Sequence, residues 1–178
     1  MENKQLKNVI LVLGFIIIVL IIGFGSSKKI EDVSNFEECV LAGNLVMESY
    51  PRQCRTKDGK TFTEDIGNAI EKSNLIQLDI PRPNDIVASP LGITGRARGN
   101  WYFEASFPAE IIDANGTRLV ILPIQAQGEW MTTEFVPFSG TLTFSIPTTS
   151  TGTLILHKDN PSGLPENDDS LRLPIRFK

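Results

Sequence analysis

The chain holds one histidine and two cysteines in 178 residues, which removes most of the chemistry that depends on them. A structural zinc site wants four ligands at short spacings, and His157 stands far along the chain from Cys39 and Cys54. No metal-binding or cofactor-binding residue is assigned. There is no Gly-x-Ser-x-Gly elbow, and His157 ends a predicted strand with no nucleophile or base beside it in sequence. It reads as a surface residue, and no catalytic residue is assigned. Positive charge is not in excess either. The formal net charge is −4, and no stretch interleaves Lys or Arg with aromatics. Binding of phosphates needs such a surface, so nucleic acid is not an expected partner. Internal repeats and low-complexity tracts are also lacking.

What the sequence does have is a long apolar run. Residues 8–27 carry no charge, and Val9–Phe24 is almost entirely Val, Ile, Leu, Phe and Gly. At ~1.5 Å per residue this stretch spans roughly 30 Å, the hydrocarbon thickness of a bilayer. A buried core helix would show polar residues beside its apolar stripe, and none interrupts this run. A transmembrane helix is therefore expected in the segment 1–27, with the membrane contacted through residues 8–27. Gly23-Phe24-Gly25 has the small-x-small form of a signal peptidase site, but the run exceeds the roughly 7 to 15 residues of a signal-peptide core. An uncleaved anchor is the preferred reading, and cleavage would make the protein secreted. Lys4 and Lys7 before the run are matched by Lys28 and Lys29 after it, so the positive-inside rule decides little. No cysteine follows the run directly, which gives lipoprotein anchoring no support.

Cys39 and Cys54 sit close together in a segment of their own, 28–64. A disulfide closing that loop would contribute ~3 kcal/mol in the chain-entropy account, useful to a segment too short for a core. The alternative is a pair of unlinked thiols. A disulfide implies an oxidising, extracytoplasmic setting. Ser34-Asn35-Phe36-Glu37 matches a capping box and predicts a short helix capped by Ser34, running through Cys39 and ending near Gly43. Asp58-Gly59 predicts a two-residue turn between Cys54–Thr56 and Thr61–Thr63. Residues 65–74 are mostly polar and read as a linker. A weak helix is the alternative there, because Ala69, Ile70, Glu71 and Lys72 tolerate one.

From 75 to 178 the texture changes to short alternating runs cut by Pro, Gly and Asn, the signature of strands. They are expected at Leu75–Ile80, Ile93–Ala97, Trp101–Phe107, Ala109–Asp113, Thr117–Gln125, Thr133–Pro137, Thr141–Pro147, Thr153–His157 and Leu171–Phe177. Alternation in Trp101–Phe107 would put Trp101, Phe103, Ala105 and Phe107 on one face, with Tyr102, Glu104 and Ser106 on the other. In the last strand Leu171, Leu173, Ile175 and Phe177 would share a face. So many strands without a helical period predict an all-β, antiparallel two-layer sandwich, with an open barrel as runner-up.

Few residues suggest binding. Trp101, Tyr102, Glu104 and Trp130, with Met131, form a candidate interaction surface for sugar or peptide, although core packing is the commoner role for such aromatics. The loop Asp159–Asp169 gathers oxygens that suit calcium, but it lacks EF-hand spacing, and its residues also make ordinary turns. Asn115-Gly116-Thr117 fits a glycosylation sequon, yet a turn explains it equally.

Several stretches carry a family resemblance. They are residues 81–91, from Pro81-Arg82-Pro83-Asn84-Asp85 to Leu91, and residues 93–107, including Gly99-Asn100-Trp101-Tyr102-Phe103. Further on come Asp113-Ala114-Asn115-Gly116, Gly128-Glu129-Trp130-Met131-Thr132, Phe135-Val136-Pro137-Phe138 and Asn160-Pro161-Ser162-Gly163. In order and spacing, residues 78–178 resemble the Gmad2 family, the immunoglobulin-like domain found in bacterial spore-germination-associated and other exported proteins. The resemblance implies an immunoglobulin-like β-sandwich on an exported bacterial protein, with a non-enzymatic role. The companion domain expected beside it is missing, so a sporulation role is not carried over. Residues 35–64 are similar to a short two-cysteine module of bacterial envelope proteins. Asp58-Gly59-Lys60-Thr61-Phe62 is faintly similar to Kazal inhibitors, but those have six cysteines and no inhibition is inferred. The combined expectation is a single-pass protein of the bacterial cell membrane with its C-terminal domain extracytoplasmic. There it would act as an interaction module for an envelope protein or cell-wall polymer. The alternatives are a structural spacer of the envelope and an exported hydrolase with an unrecognised site.

Overall fold

The computed structural model describes residues 33–178. The expected membrane segment at 8–27 lies outside the described residues, and among those described no helix is long and apolar enough to cross a membrane. The chain divides into two compact units. Among the described residues, one comprises 33–47 and Cys54–Phe62, the other Glu48–Gln53 and Thr63–Lys178.

In the first unit a helix covers Phe36–Leu41. Its cap is Asn35 rather than Ser34: the Asn35 side chain accepts the Glu38 N–H at 2.8 Å. The acid that reaches back is Glu38 rather than Glu37, accepting from the Ser34 N–H and hydroxyl, each at 2.8 Å. Asn caps as well as Ser, and a start at Phe36 places Phe36 and Cys39, three residues apart, on the inward face, where both are buried. Strands β1 (Leu45–Met47), β2 (Gln53–Arg55) and β3 (Thr61–Thr63) form a sheet in that order. The β2–β3 turn has three residues, not two. Thr56 N–H donates to the Lys60 carbonyl and Gly59 N–H to the Thr56 carbonyl, with Gly59 at φ 93. Only the third loop residue needs the left-handed region, and glycine supplies it. The Cys39–Cys54 disulfide is formed. It lies at the centre of a small cluster with Phe36, Val46 and Phe62.

The second unit is an immunoglobulin-like sandwich built from β4 (Ile76–Ile80), β5 (Ile86–Val87), β6 (Leu91–Arg98), β7 (Ser106–Asp113), β8 (Arg118–Ala126), β9 (Phe135–Leu142), β10 (Thr151–His157) and β11 (Ser170–Phe177). Hydrogen-bonded neighbours run β4-β6-β9-β8-β7-β10-β11-β5. β6 and β9 pair along their whole length, but β8 and β9 meet only at Gln125↔Ser139 and Ala126↔Phe138. That narrow junction is where the ribbon folds into two layers, β4-β6-β9 and β8-β7-β10-β11-β5. All pairings are antiparallel except β5 with β11, which is parallel at Ile86↔Arg176 and Val87↔Phe177.

Alternation explains the core. In β6, Leu91, Ile93 and Ala97 point inward, and in β11 Leu171, Leu173 and Ile175 do the same while Arg172 and Arg176 face out. Phe107 meets Phe138 edge-on at 5.1 Å and Tyr102 at 5.3 Å. Each large buried side chain contributes roughly 1.5 to 3 kcal/mol, so this unit needs no disulfide.

Three expected strands are corrected. Trp101–Phe107 is not one strand: Gly99–Trp101 is a 3-10 turn, and Phe103–Ser106 is a tight turn closed by reciprocal backbone bonds of 3.0 Å, so β7 begins at Ser106. Thr133–Pro137 and Thr141–Pro147 are not two strands: β9 runs from Phe135 to Leu142 through Ser139-Gly140, and residues 143–147 lie outside any strand. Gly140 lies against Ile124: a Cβ there would be 2.4 Å from Ile124 Cδ1, so a larger residue would make that side chain shift. Within 65–74 the weak helix forms at Ala69–Lys72.

Candidate interaction site

The residues singled out from sequence do not gather into an exposed patch. Trp101 is 1% exposed and Tyr102 4%, so both belong to the core. Tyr102 hydroxyl donates to the Val136 carbonyl at 2.7 Å, and burial pushes its phenol up to about 12. Trp130 is half-buried against the same core. Glu104 is exposed, but on a turn rather than a strand, with φ 49 beside Ala105 at φ 61.

The remaining polar features are held by their own neighbours. In the Asp159–Asp169 loop, Asn160 Nδ2 donates to the Leu164 carbonyl and to Asp168 Oδ1, and Asn160 Oδ1 accepts from Ser162. Among the described residues, no three His, Cys, Asp or Glu side chains converge to hold a metal. Asp113 accepts the Asn115 and Thr117 N–H groups and the Thr148 hydroxyl, which fixes the Asn115-Gly116 turn. His157 is not a free surface residue: its Nε2 lies 2.9 Å from Glu110 Oε2, and Arg118 engages the other carboxylate oxygen. Burial raises the Glu110 carboxyl, but these two partners outweigh it and hold it below the usual range.

A different place in the second unit has the form of a binding site. A groove of about 660 Å³ is lined by Glu48, Tyr50, Arg52 and Glu64 on one side. Leu78 and Asp79 of β4 and the Arg82–Asp85 turn form the other. A second hollow of about 240 Å³ shares Tyr50, Leu78, Asp79 and Pro83 and extends to Ile76, Leu171 and Leu173. The groove's framework is an ion pair. Arg52 grips buried Glu64 with two bonds, Nη2 to Oε1 at 2.6 Å and Nε to Oε2 at 2.9 Å. The guanidinium, assisted by Asn84, holds the Glu64 carboxyl below its ordinary range despite burial. Asn84 ties the two walls, donating to Glu64 Oε1 and to the Asp65 carbonyl. The next residue, Asp85, accepts the Arg82 N–H at 2.7 Å, so the turn presents the Arg82 side chain.

The groove's other polar groups are uncommitted. Among the described residues, no hydrogen bond or ion pair engages the Tyr50 hydroxyl, the Arg82 guanidinium, or the Asp79 and Glu48 carboxylates. Ile66, Leu78 and Pro83 supply apolar surface between them. An exposed aromatic, apolar floor and free charges of both signs suit binding by contact and orientation. Nothing in the sequence marked Tyr50, Arg52 or Glu64. Their meeting with Asp79 and Arg82 is a product of tertiary folding, and only Pro81-Arg82-Pro83-Asn84-Asp85 had drawn notice.

No curated protein and no solved structure matches the chain. A family model, Gmad2, described as the immunoglobulin-like domain of bacterial spore germination, matches residues 75–163, half of the chain. Asp79, Arg82 and Asp85 fall inside the matched residues, whereas Glu48, Tyr50, Arg52 and Glu64 precede them. With that match covering β4 to β10 of a two-layer sandwich, the chain belongs to the Gmad2 family of immunoglobulin-like domains.

Proposed function

We propose that this protein is a non-enzymatic interaction module, tethered to the bacterial cell membrane through residues 8–27 and facing the extracytoplasmic side. There it binds an envelope protein or a cell-wall polymer. The Cys39–Cys54 bond supports an oxidising compartment, and the uncharged run supports the tether. The observation that carries the binding role is the groove with Tyr50, Arg82, Asp79 and Glu48 free of internal partners. All four are exposed, so a partner entering this concave surface meets them without displacing an internal bond.

The test uses the full chain in detergent. It is incubated with purified cell-wall sacculi and, separately, with solubilised envelope extract, beside a variant carrying Asp79→Lys and Arg82→Glu. One of the two materials should retain the parent, and the variant's retention should fall by roughly tenfold, equivalent to ~1.4 kcal/mol. Equal retention of variant and parent, or no retention of the parent by either material, overturns the proposal.

A further inference from the structure

We infer that a hollow between Phe103 and the β10–β11 loop takes a neutral sugar ring of a glycan chain. This hollow shares no residue with the groove, and the inference stands independently of it.

Strand pairing brings its walls together. The end of β10 lies beside the start of β7, through Leu156↔Ala109, and beside the start of β11, through His157↔Ser170. The β10–β11 loop, 158–169, and the stretch 99–105 that leads into β7 therefore emerge at the same end of the sandwich. The Asp159 N–H ties them, donating to the Trp101 carbonyl at 3.0 Å. Loops gathered at one end of a sandwich are where such folds place binding residues. The hollow between these two holds about 290 Å³, near the lower end of small-ligand sites at ~300–1,000 Å³. It admits a small unit rather than a folded partner. One wall is fixed in advance, because Asn160 Nδ2 donates to the Leu164 carbonyl at 2.8 Å and Asn167 Nδ2 to the Ser162 hydroxyl at 2.9 Å. A wall already ordered lowers the cost of binding.

The groups left over define the ligand. Phe103 lines the hollow and is 41% exposed. Among the described residues, no hydrogen bond or ion pair engages the Asn100 amide, the Lys158 ammonium or the Asn167 side-chain oxygen, and all three residues line the hollow. Asp159 is half-buried, and its carboxylate is met by the Asn160 N–H and by no cation. Burial, joined by the nearby Glu104 charge, pushes it above its ordinary range against that one backbone bond. A half-buried carboxylate lacking a counter-charge is stabilised by donors that a ligand brings.

The ligand must therefore offer hydrogen-bond donors to Asp159 and the Asn167 oxygen, acceptors to Lys158 and Asn100, and an apolar face to Phe103. An anion would meet Asp159 and Glu104, and a cation would meet Lys158, so neither sign of charge is favoured. A sugar ring is neutral. Its hydroxyls both donate and accept around the rim, and its faces present C–H groups. Those groups pack against an aromatic ring, whose face is negative.

The full chain in lipid nanodiscs is titrated calorimetrically with the tetramers of N-acetylglucosamine and of glucose, and with acetylated, amidated tetra-alanine as a neutral peptide control. At least one sugar should bind with a dissociation constant of about 1 mM or tighter, the scale expected of so small a contact. Phe103→Ala and Asp159→Ala should each weaken that binding by roughly tenfold, ~1.4 kcal/mol. Phe103→Trp keeps an aromatic face and should bind at least as well as the parent. No binding of either sugar, parental affinity in Phe103→Ala, or equal binding of tetra-alanine overturns the proposal. The variant carrying Asp79→Lys and Arg82→Glu should bind the sugar as the parent does, and a loss there would move the sugar to the groove and overturn its assignment to this hollow. A contact this weak does not hold the chain on sacculi through washing. Sacculus retention therefore reads the groove, free oligomers read the hollow, and either site can fail alone.

Discussion

Asn68 and Arg172 bond each other reciprocally: the Arg172 N–H donates to Asn68 Oδ1 at 2.7 Å, and the Asn68 N–H donates to the Arg172 carbonyl at 3.2 Å. Asn68 Nδ2 also reaches the Ser170 carbonyl at 2.8 Å, and Lys72 pairs with Asp169. A mostly polar stretch thus gains order by acting as the missing neighbour of β11, satisfying backbone groups that would otherwise be unpaired.

Removing that side chain should be felt throughout the second unit. Asn68→Ala leaves the Arg172 N–H without its acceptor and should lower stability by about 1–3 kcal/mol. Gly67→Ala should be at least as harmful, because φ is 63 and an added Cβ would lie 1.9 Å from the Arg172 carbonyl oxygen. Urea unfolding of the full chain measures both. Midpoints equal to the parent's would show that the strap is incidental.

The first unit depends on its covalent closure in a way the second does not. Its fully buried residues include little beyond Phe36 and the two half-cystines. A bridge across a sequence separation of 15 contributes ~3 kcal/mol to such a segment. Reduction, or Cys39→Ser with Cys54→Ser, should therefore open residues 33–47 and 54–62 to proteolysis and leave the sandwich resistant. Persistence of protease resistance in 33–47 and 54–62 after reduction would contradict this.

At the Phe103–Ser106 turn both central residues, Glu104 and Ala105, have positive φ and neither is glycine. An L-residue in the left-handed region is disfavoured by roughly 1–2 kcal/mol, and turns of this kind ordinarily carry Asn-Gly. Glu104→Asn with Ala105→Gly should raise stability by about 1 kcal/mol, with the fold unchanged. A lower melting temperature for the double variant would refute the assignment of strain.

The same turn shows why some of the structure was hidden in the sequence. β6 and β11 were legible because each has one buried face, and period-two alternation records that directly. Trp101–Phe107 also alternates on paper, yet Trp101 and Tyr102 are consecutive and both buried, which a half-exposed strand does not allow. Glu-Ala carries no turn signal, so the reversal was invisible. Ser139-Gly140 looked like a break, although the glycine sits within the strand with Ile124 packed against it. The groove could not be read at all. Arg52 and Glu64 are an ordinary surface-type pair in sequence, and only folding brings them beside Arg82 and Asp79.

Tyr102 gives a stability prediction with a defined pH window. Its hydroxyl donates to the Val136 carbonyl inside the core, and burial, opposed in part by the Ala97 backbone, pushes the phenol from 10.0 to about 12. The folded state thus favours the neutral phenol. The associated stability is complete below the unfolded value near 10 and is lost as pH rises from there through about 12. Tyr102→Phe should destabilise the protein by about 0.5–1.5 kcal/mol at neutral pH, where it removes the bond to the Val136 carbonyl. Above pH 10 the parent progressively surrenders that advantage, so the gap between parent and variant should shrink toward zero or reverse by pH 12. Tyr50, the other tyrosine in the chain, is present in both proteins and cancels from the difference. Unfolding free energies measured for the pair at pH 8, 10, 11 and 12 decide the matter, and a gap that stays constant across that window would rule out a titrating, buried Tyr102.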